Sequence, residues 1–478
     1  MKGLLTMGST APSSDGTNIS GTSAPGANTS GIKDELVDAL GARELGWRYK
    51  ALPAAAHGRS AGDYVASGVS LAELQTPLLT LDAAAMAANV AHMARWCAQK
   101  GVLIAPHGKT TMAPQMWRNQ LESGAWGITL ANASQLRVGH EFGLRRVMLA
   151  NSLTDPQAIT WLAGAQGPDF SVVSWVDSLQ TVALQEGVLA GSPGAVLDVI
   201  VELGGAGGRT GVRSIAGALE IARAIRAATH LRLVGVGGYE GSLAHTADVA
   251  DLATVGGYLS GVKELHEQLL AEGLYAPGAE LIVTAGGSAY FDDVVNVLGS
   301  CRAEATDSSP QIDVIIRSGA YMVHDDGFYR GISPFARGGE AAAGQAPFAS
   351  AMHAWARVVS QPEPGLAILD AGKRDLPVDE GLPEPQMLGT TLGGPLETLH
   401  GASISAVNDQ HCFLRFDPAT TTVALGDVVR LGLSHPCTAF DKWTLIPVLA
   451  NTAHPETAHP EAANSNGYQL VDLIHTFF

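Results

Sequence analysis

The chain has 478 residues, of which 46% are hydrophobic, only 16% charged and 56 glycine; it exceeds one average domain and can bury a large core. Its 46 acidic and 29 basic residues give a net charge of −17, which argues against a nucleic-acid binder, and no apolar run reaches the ~18 residues of a membrane span. Four scattered cysteines, Cys97, Cys301, Cys412 and Cys437, form no C-x-x-C and no disulfide framework. Together with an opening apolar stretch too short for a signal peptide, they lead us to expect a cytoplasmic protein.

Residues 1–31 are almost free of large apolar side chains and read as a disordered tail. Residues 32–75 carry a broken helical pattern and read as an extension packed on the body. After a first apolar run at Pro77–Leu81, strand candidates alternate with Ala/Leu-rich helical stretches. They are Val102–Ala105, Trp126–Leu130, Arg146–Ala150, Val172–Val176, Leu197–Leu203, Leu231–Val236, Glu280–Ala285 and Ile312–Arg317. Unbroken apolar strands between helices mean a parallel sheet covered on both faces. The fold class is therefore α/β. Eight such units fit a (β/α)8 TIM-like barrel of roughly 250 residues, set at 76–335, with a doubly wound open sheet as the competing arrangement. The rhythm ends near Arg330, and residues 331–348 read as a linker. Short runs bounded by Gly, Pro, Asp and Asn follow: Ala354–Ser360, Leu366–Leu369, Ser403–Val407, Cys412–Phe416 and Val428–Leu433. A mostly β domain is expected at 345–478, with a polar loop at 451–466 and a last apolar run at Tyr468–Phe478.

Barrel active sites lie at the C-terminal ends of the strands. There the sequence places Pro106-His107-Gly108-Lys109-Thr110-Thr111, Gly208-Arg209-Thr210-Gly211, Gly238-Tyr239-Glu240-Gly241, Gly286-Gly287-Ser288 and Ser318-Gly319-Ala320-Tyr321. Glycines after the last two strands suit a phosphate, because backbone N–H groups approach an anion closely only where no Cβ intrudes. Lys109 has no acid in Gly108–Thr111, so it is a candidate nucleophile for a carbonyl. A lysine with a phosphate cradle suggests pyridoxal 5'-phosphate. In Ser434-His435-Pro436-Cys437-Thr438, an extended backbone would turn His435 and Cys437 to one face. An imidazole with a thiolate suits Zn2+ in an open site completed by water and substrate. His411-Cys412 is poorer, since neighbours on a strand face apart.

From about Thr76 onward these motifs resemble the D-serine dehydratase and D-threonine aldolase family of pyridoxal-phosphate enzymes, of the alanine racemase fold type (fold type III). Pro106–Thr110 is similar to its P-H-x-K-T segment, whose lysine carries the cofactor. Gly208–Gly211 is similar to its R-x-G turn, and Gly238–Gly241 to its G-Y-x-G segment with a tyrosine near the cofactor. The resemblance thus implies a cofactor site of Lys109, His107, Arg209, Tyr239, Gly286, Gly287, Ser288, Gly319 and Tyr321. It also implies a metal pair of His435 and Cys437, H-x-C as in the dehydratases where aldolases usually show H-x-D. Two segments depart from the pattern: Thr111 replaces a frequent histidine, and Asp409-Gln410-His411-Cys412 replaces E-E-H-G near the substrate. The side chain of the substrate is therefore left open among hydroxyl-bearing D-amino acids. The expected activity is pyridoxal-phosphate- and zinc-dependent β-elimination of a β-hydroxy D-amino acid to a 2-oxo acid and ammonia, by a homodimer with Lys109 as base. A metal-dependent aldolase, an amino-acid racemase and a non-catalytic pyridoxal-phosphate-binding protein are the alternatives.

Overall fold

A computed structural model describes residues 31–306, 309–338, 343–451 and 467–478. The expected tail therefore lies, except for Gly31, outside the described residues, as does almost all of the loop at 451–466. Nine strands run through the first part of the chain: β1 (Leu78–Asp82), β2 (Leu103–Ile104), β3 (Ile128–Leu130), β4 (Arg146–Ser152), β5 (Ser171–Val176), β6 (Leu197–Glu202), β7 (Leu231–Gly237), β8 (Leu281–Ala285) and β9 (Ile312–Ile316). Strands β2 to β9 form one parallel sheet in the order β2-β9-β8-β7-β6-β5-β4-β3. A parallel bridge between His107 and Thr129, with Trp126 N donating to Ile104 O (2.8 Å), joins the two ends. The (β/α)8 barrel is thus the observed architecture rather than an open sheet. Its strands are buried on both faces, β3 and β8 along their whole length, which is why they read as continuous apolar runs.

Helix starts are fixed by side chains that accept from orphan N–H groups. Asp82 accepts from Ala85 N (2.8 Å), Asn132 from Gln135 N (3.0 Å), Asp155 from Ala158 N (2.7 Å) and Ser178 from Thr181 N (3.1 Å). Each such cap is worth about 1 kcal/mol. The helix Ala83–Lys100 ends on Gly101 at φ 67°, a left-handed turn that glycine takes without a Cβ clash.

The second part supplies β10 (Met352–Glu363), β11 (Leu366–Leu369), β12 (Glu384–Gly389), β13 (Glu397–Thr398), β14 (Ser403–Val407), β15 (Cys412–Arg415), β16 (Val428–Gly432), β17 (Leu445–Asn451) and β18 (Tyr468–His475). This is the expected mostly β unit. Its sheet runs β13-β12-β16-β10-β1-β17-β18, with β11, β15 and β14 continuing from β10. Strand β1 sits inside it, antiparallel to β10 and parallel to β17. The segment that precedes the barrel in sequence therefore ties the barrel to the second sheet. Residues of the extension cover that sheet: Leu45, Tyr49, Leu52, Tyr64, Leu71 and Leu74 are buried with Trp355, Val428, Leu445 and Leu470.

Three strands escape a sequence reading: β12 and β17, where Pro385 and Pro447 interrupt runs that otherwise pattern as strand, and β13, which is only two residues long. One segment is corrected. Ser434–Thr438 is not extended: His435 is left-handed at φ 58° and Pro436–Phe440 forms a short helix. Proline at the first helical position is the physical reason, since its fixed φ and missing N–H suit a helix start.

Candidate active site

All the site residues singled out in sequence except Tyr321 converge on one cavity at the C-terminal ends of the barrel strands. It is lined by His107, Lys109, Thr110, Arg209, Tyr239, Gly286, Gly287, Ser288, Gly319, His435 and Cys437, together with Trp175, Arg317 and Tyr329. A larger cleft opens at the opposite, N-terminal ends of the strands, but its Arg232 and Asp198 are paired with each other.

The Lys109 turn is locked to the barrel wall. Trp117 Nε1 donates to Gly108 O (3.3 Å), and Thr129 Oγ1 to Ala105 O (2.6 Å). A Cβ on Gly108 would stand 2.6 Å from Ile128 Cγ2, so only glycine fits there. Lys109 makes no ion pair with a carboxylate among the described residues. Burial and the nearby charges of Arg209 and Arg317 hold its pKa below the usual lysine value, against a smaller opposing pull from Cys437. His107 is pushed well below the ordinary histidine range by burial and by the charge of Lys109, and is neutral. Its Nδ1 is buried without a partner among the described residues.

Arg209 lies over the Tyr239 ring, 5.1 Å from its centroid. Its turn is held by Arg213, whose guanidinium donates to the carbonyls of Gly208 (2.7 Å), Arg209 (3.0 Å), Thr210 (2.6 Å) and Gly211 (3.1 Å). Burial, with the charge of Glu240, raises the Tyr239 phenol to about 12, so it stays protonated. Arg317 is buried under the cavity, 4.7 Å from the Trp175 ring centroid, and donates to Thr284 Oγ1 (2.7 Å) and Gly238 O (2.6 Å). Lys109, Arg209 and Arg317 thus collect positive charge locally in a chain whose net charge is −17.

The glycine loop departs from a bare cradle. Glu240, fully buried, accepts from Gly286 N (2.9 Å) and Gly287 N (2.7 Å). Two amides assigned in sequence to an anion are therefore taken by a carboxylate of the chain. Ser288 Oγ accepts from Ala320 N (3.1 Å), which ties the two loops together. Gly319 packs against the lysine turn, where a Cβ would meet His107 O at 2.6 Å. Tyr321 is not on the cavity. The turn Ala320–Met322 carries its ring into the layer beneath, where its hydroxyl accepts from Gln120 Nε2 (3.4 Å) and it faces Phe348.

His435 and Cys437 come together through the left-handed residue and the helical turn. Cys437 Sγ lies 3.5 Å from Thr110 Oγ1, which brings the pair onto the lysine loop. The Cys437 thiol is raised by burial, but its hydrogen bonds to His435 and Thr110 and the charges of His435 and Lys109 outweigh this and lower it. His435 is raised to about 9, first by the hydrogen bond to Cys437 and against the effect of burial. Among the described residues no group of three or more His, Cys, Asp or Glu that could hold a metal ion is found, and His435 and Cys437 stand as a pair. Asp409 and Gln410 do not line the cavity: Gln410 Nε2 donates to Asp375 Oδ2 (3.1 Å), and Asp409 lies 3.6 Å from Arg374.

Sequence reasoning missed Arg317, Glu240, Tyr329 and Trp175. Arg317 had a signal, a basic residue closing the apolar strand Ile312–Ile316. Glu240 had only its place beside Tyr239.

Comparison with known proteins bears on the family and the fold. A family model described as a putative serine dehydratase domain matches residues 351–449. The chain is 28% identical over 369 residues to a D-threonine aldolase of Arthrobacter sp, covering 77% of this chain and 87% of that one. In fold it is similar to a D-threonine aldolase from Filomicrobium marinum, at TM-score 0.68 and 23% identity over 86% of this chain and 97% of that chain. It is also similar to a D-threo-3-hydroxyaspartate dehydratase from Delftia sp. HT23, at TM-score 0.64 and 21% identity over 85% and 99%. The family resemblance and the alanine-racemase-type fold read from the sequence are borne out.

Proposed function

We propose that this chain, a relative of the D-serine dehydratases and D-threonine aldolases, is a lyase that removes water from a β-hydroxy D-amino acid and yields a 2-oxo acid and ammonia. The observation that carries the reading is the approach of Cys437 to the Lys109 turn, which sets a soft metal pair beside a buried lysine. The residues fit pyridoxal phosphate: a lysine with a depressed pKa, an unpartnered buried His107 nitrogen and two arginines share the cavity. Lys109 would hold the cofactor, with His107, Arg209, Tyr239, Gly286, Gly287, Ser288 and Gly319 around it, and His435 and Cys437 would hold zinc. When bound, the cofactor supplies an electron sink for charge at the substrate Cα, and zinc a Lewis acid for the β-hydroxyl.

The chain's own residues do the rest. Burial lowers the Lys109 pKa, which favours the free amine that would take the proton from Cα. Arg209 fixes the Tyr239 ring, and the uncharged His107 adds no further positive charge. Loss of the β-hydroxyl and the α-proton removes one water and leaves an enamine. Hydrolysis returns one water and releases ammonia, so the 2-oxo acid and the ammonia together carry all the atoms of the substrate. A homodimer belongs to the same reading, carried by the resemblance, and a cytoplasmic location is expected from the four scattered cysteines; no described helix is long and apolar enough to cross a membrane.

The second reading is an aldolase that cleaves Cα–Cβ to glycine and an aldehyde, favoured by the name of the Arthrobacter relative. Cysteine at the second metal position favours elimination, because thiolate selects zinc over harder ions. A product assay across β-hydroxy D- and L-amino acids, with and without zinc, separates the two: 2-oxo acid and ammonia, or glycine and aldehyde.

A further inference from the structure

We propose that Asp379 is a positioning residue for the metal pair, fixing the ring tautomer of His435 so that Nε2 is its ligating nitrogen. This rests on the reading of His435 and Cys437 as zinc ligands. Asp379 Oδ2 lies 2.5 Å from His435 Nδ1, and Asp379 Oδ1 accepts from Thr438 Oγ1 at 2.7 Å. Both carboxylate oxygens are committed, so Asp379 serves the imidazole rather than acting as a third ligand. The backbone of the same residue is pinned independently, His435 N donating to Asp325 Oδ2 at 3.0 Å. With Nδ1 occupied, Nε2 is the nitrogen left to share with Cys437, which the left-handed backbone of His435 brings into hydrogen-bonding contact.

The carboxylate is presented on a braced loop. Asp375, four residues earlier, accepts from Gly372 N (3.2 Å), Gln410 Nε2 (3.1 Å) and Lys50 Nζ (3.0 Å). Trp443 Nε1 donates to Asp375 O (2.9 Å), and beyond Asp379, Ser434 Oγ donates to Gly381 O (3.2 Å). The loop is therefore tied to the extension, to the turn before β15 and to the metal segment itself. Metal-ligating histidines commonly give their second ring N–H to a carboxylate, and losing that partner costs about 10–100-fold in metal affinity.

The test is zinc affinity of the full-length protein, measured by competition with a chromophoric chelator for Asp379→Ala, Asp379→Asn and Asp379→Glu. Asp379→Ala is expected to weaken zinc about 10–100-fold. Asp379→Asn, which keeps an acceptor oxygen without the charge, should fall between, and Asp379→Glu should recover part of the loss. Cofactor absorbance and the thermal midpoint of the zinc-free protein should stay as in the parent, which separates lost positioning from misfolding; should the alanine variant not fold, the near-isosteric Asn variant decides. Zinc held as tightly by Asp379→Ala as by the parent would overturn the positioning role and leave the metal pair standing. A parent protein that binds no zinc, or whose binding survives His435→Ala, would overturn both.

Discussion

At the scale of single residues, the site is a set of charges made tolerable by specific partners. Glu240 is the clearest case, a buried carboxylate satisfied by the N–H groups of Gly286 and Gly287. Glu240→Ala would leave two buried donors unpaired, so we expect a loss of roughly 2–5 kcal/mol, read from denaturant unfolding, together with weaker cofactor retention. His266 offers a pH test away from the site. It is buried against the Tyr275 hydroxyl at 2.8 Å, and burial lowers it to about 4. Its depressed folded value means that the unfolded chain takes a proton the fold excludes, so its contribution is retained above about 6.5 and lost as pH falls toward about 4. His266→Gln should therefore close the stability gap to the parent protein as pH falls through that window; a gap independent of pH would contradict the assignment. Lys109, His435 and Cys437 stood out in the sequence as candidates by type and place, whereas His107, Arg209 and Tyr239 were singled out only by the resemblance of their motifs. Asp379 was not, because it meets its partner 56 positions away on an irregular loop, and no local spacing encodes such a contact.

Elements were legible where a period persists. Barrel strands buried on both faces give unbroken apolar runs, and eight of them between helices favoured a barrel over an open sheet; only the His107–Thr129 bridge decided for closure. The segment after β16 was misread because the pleat argument assumed an extended chain, whereas Ser434-His435-Pro436 also spells a helix start. The two side chains still met, through a left-handed residue in place of a strand's alternation. Strand β1 could be found as a strand, but its partners β10 and β17 lie about 270 and 370 residues later, beyond any local pattern. The extension is an element with a structural duty. Leu71 is fully buried, beside Trp355 and Leu470. Leu71→Ala should cost about 2–5 kcal/mol in unfolding free energy, and a stability equal to the parent would show that the extension is not part of the cooperative core.

For the whole molecule, the arrangement explains why the chemistry needs both sheets. The barrel supplies Lys109 and its surrounding cations, and the β sheet supplies His435 and Cys437. Strand β1, embedded in the second sheet, leads directly into the barrel and limits how far the two can separate. Removing metal should then leave the lysine half intact: chelation is expected to abolish turnover while a visible absorbance band is kept, and Lys109→Ala to lose the band itself. Against a net charge of −17, the cations proposed to answer an anionic cofactor are gathered in the cavity.

The central claim is that one cavity joins the Lys109 and His435–Cys437 chemistries in an elimination. Its most direct test is a product assay with D-serine on the zinc-loaded, cofactor-loaded protein, before and after chelation. The account predicts equal amounts of pyruvate and ammonia, abolished by the chelator and restored by zinc, with the absorbance band unchanged throughout. Glycine with an aldehyde as products across the β-hydroxy D-amino acids, or turnover that survives complete metal removal, would contradict it.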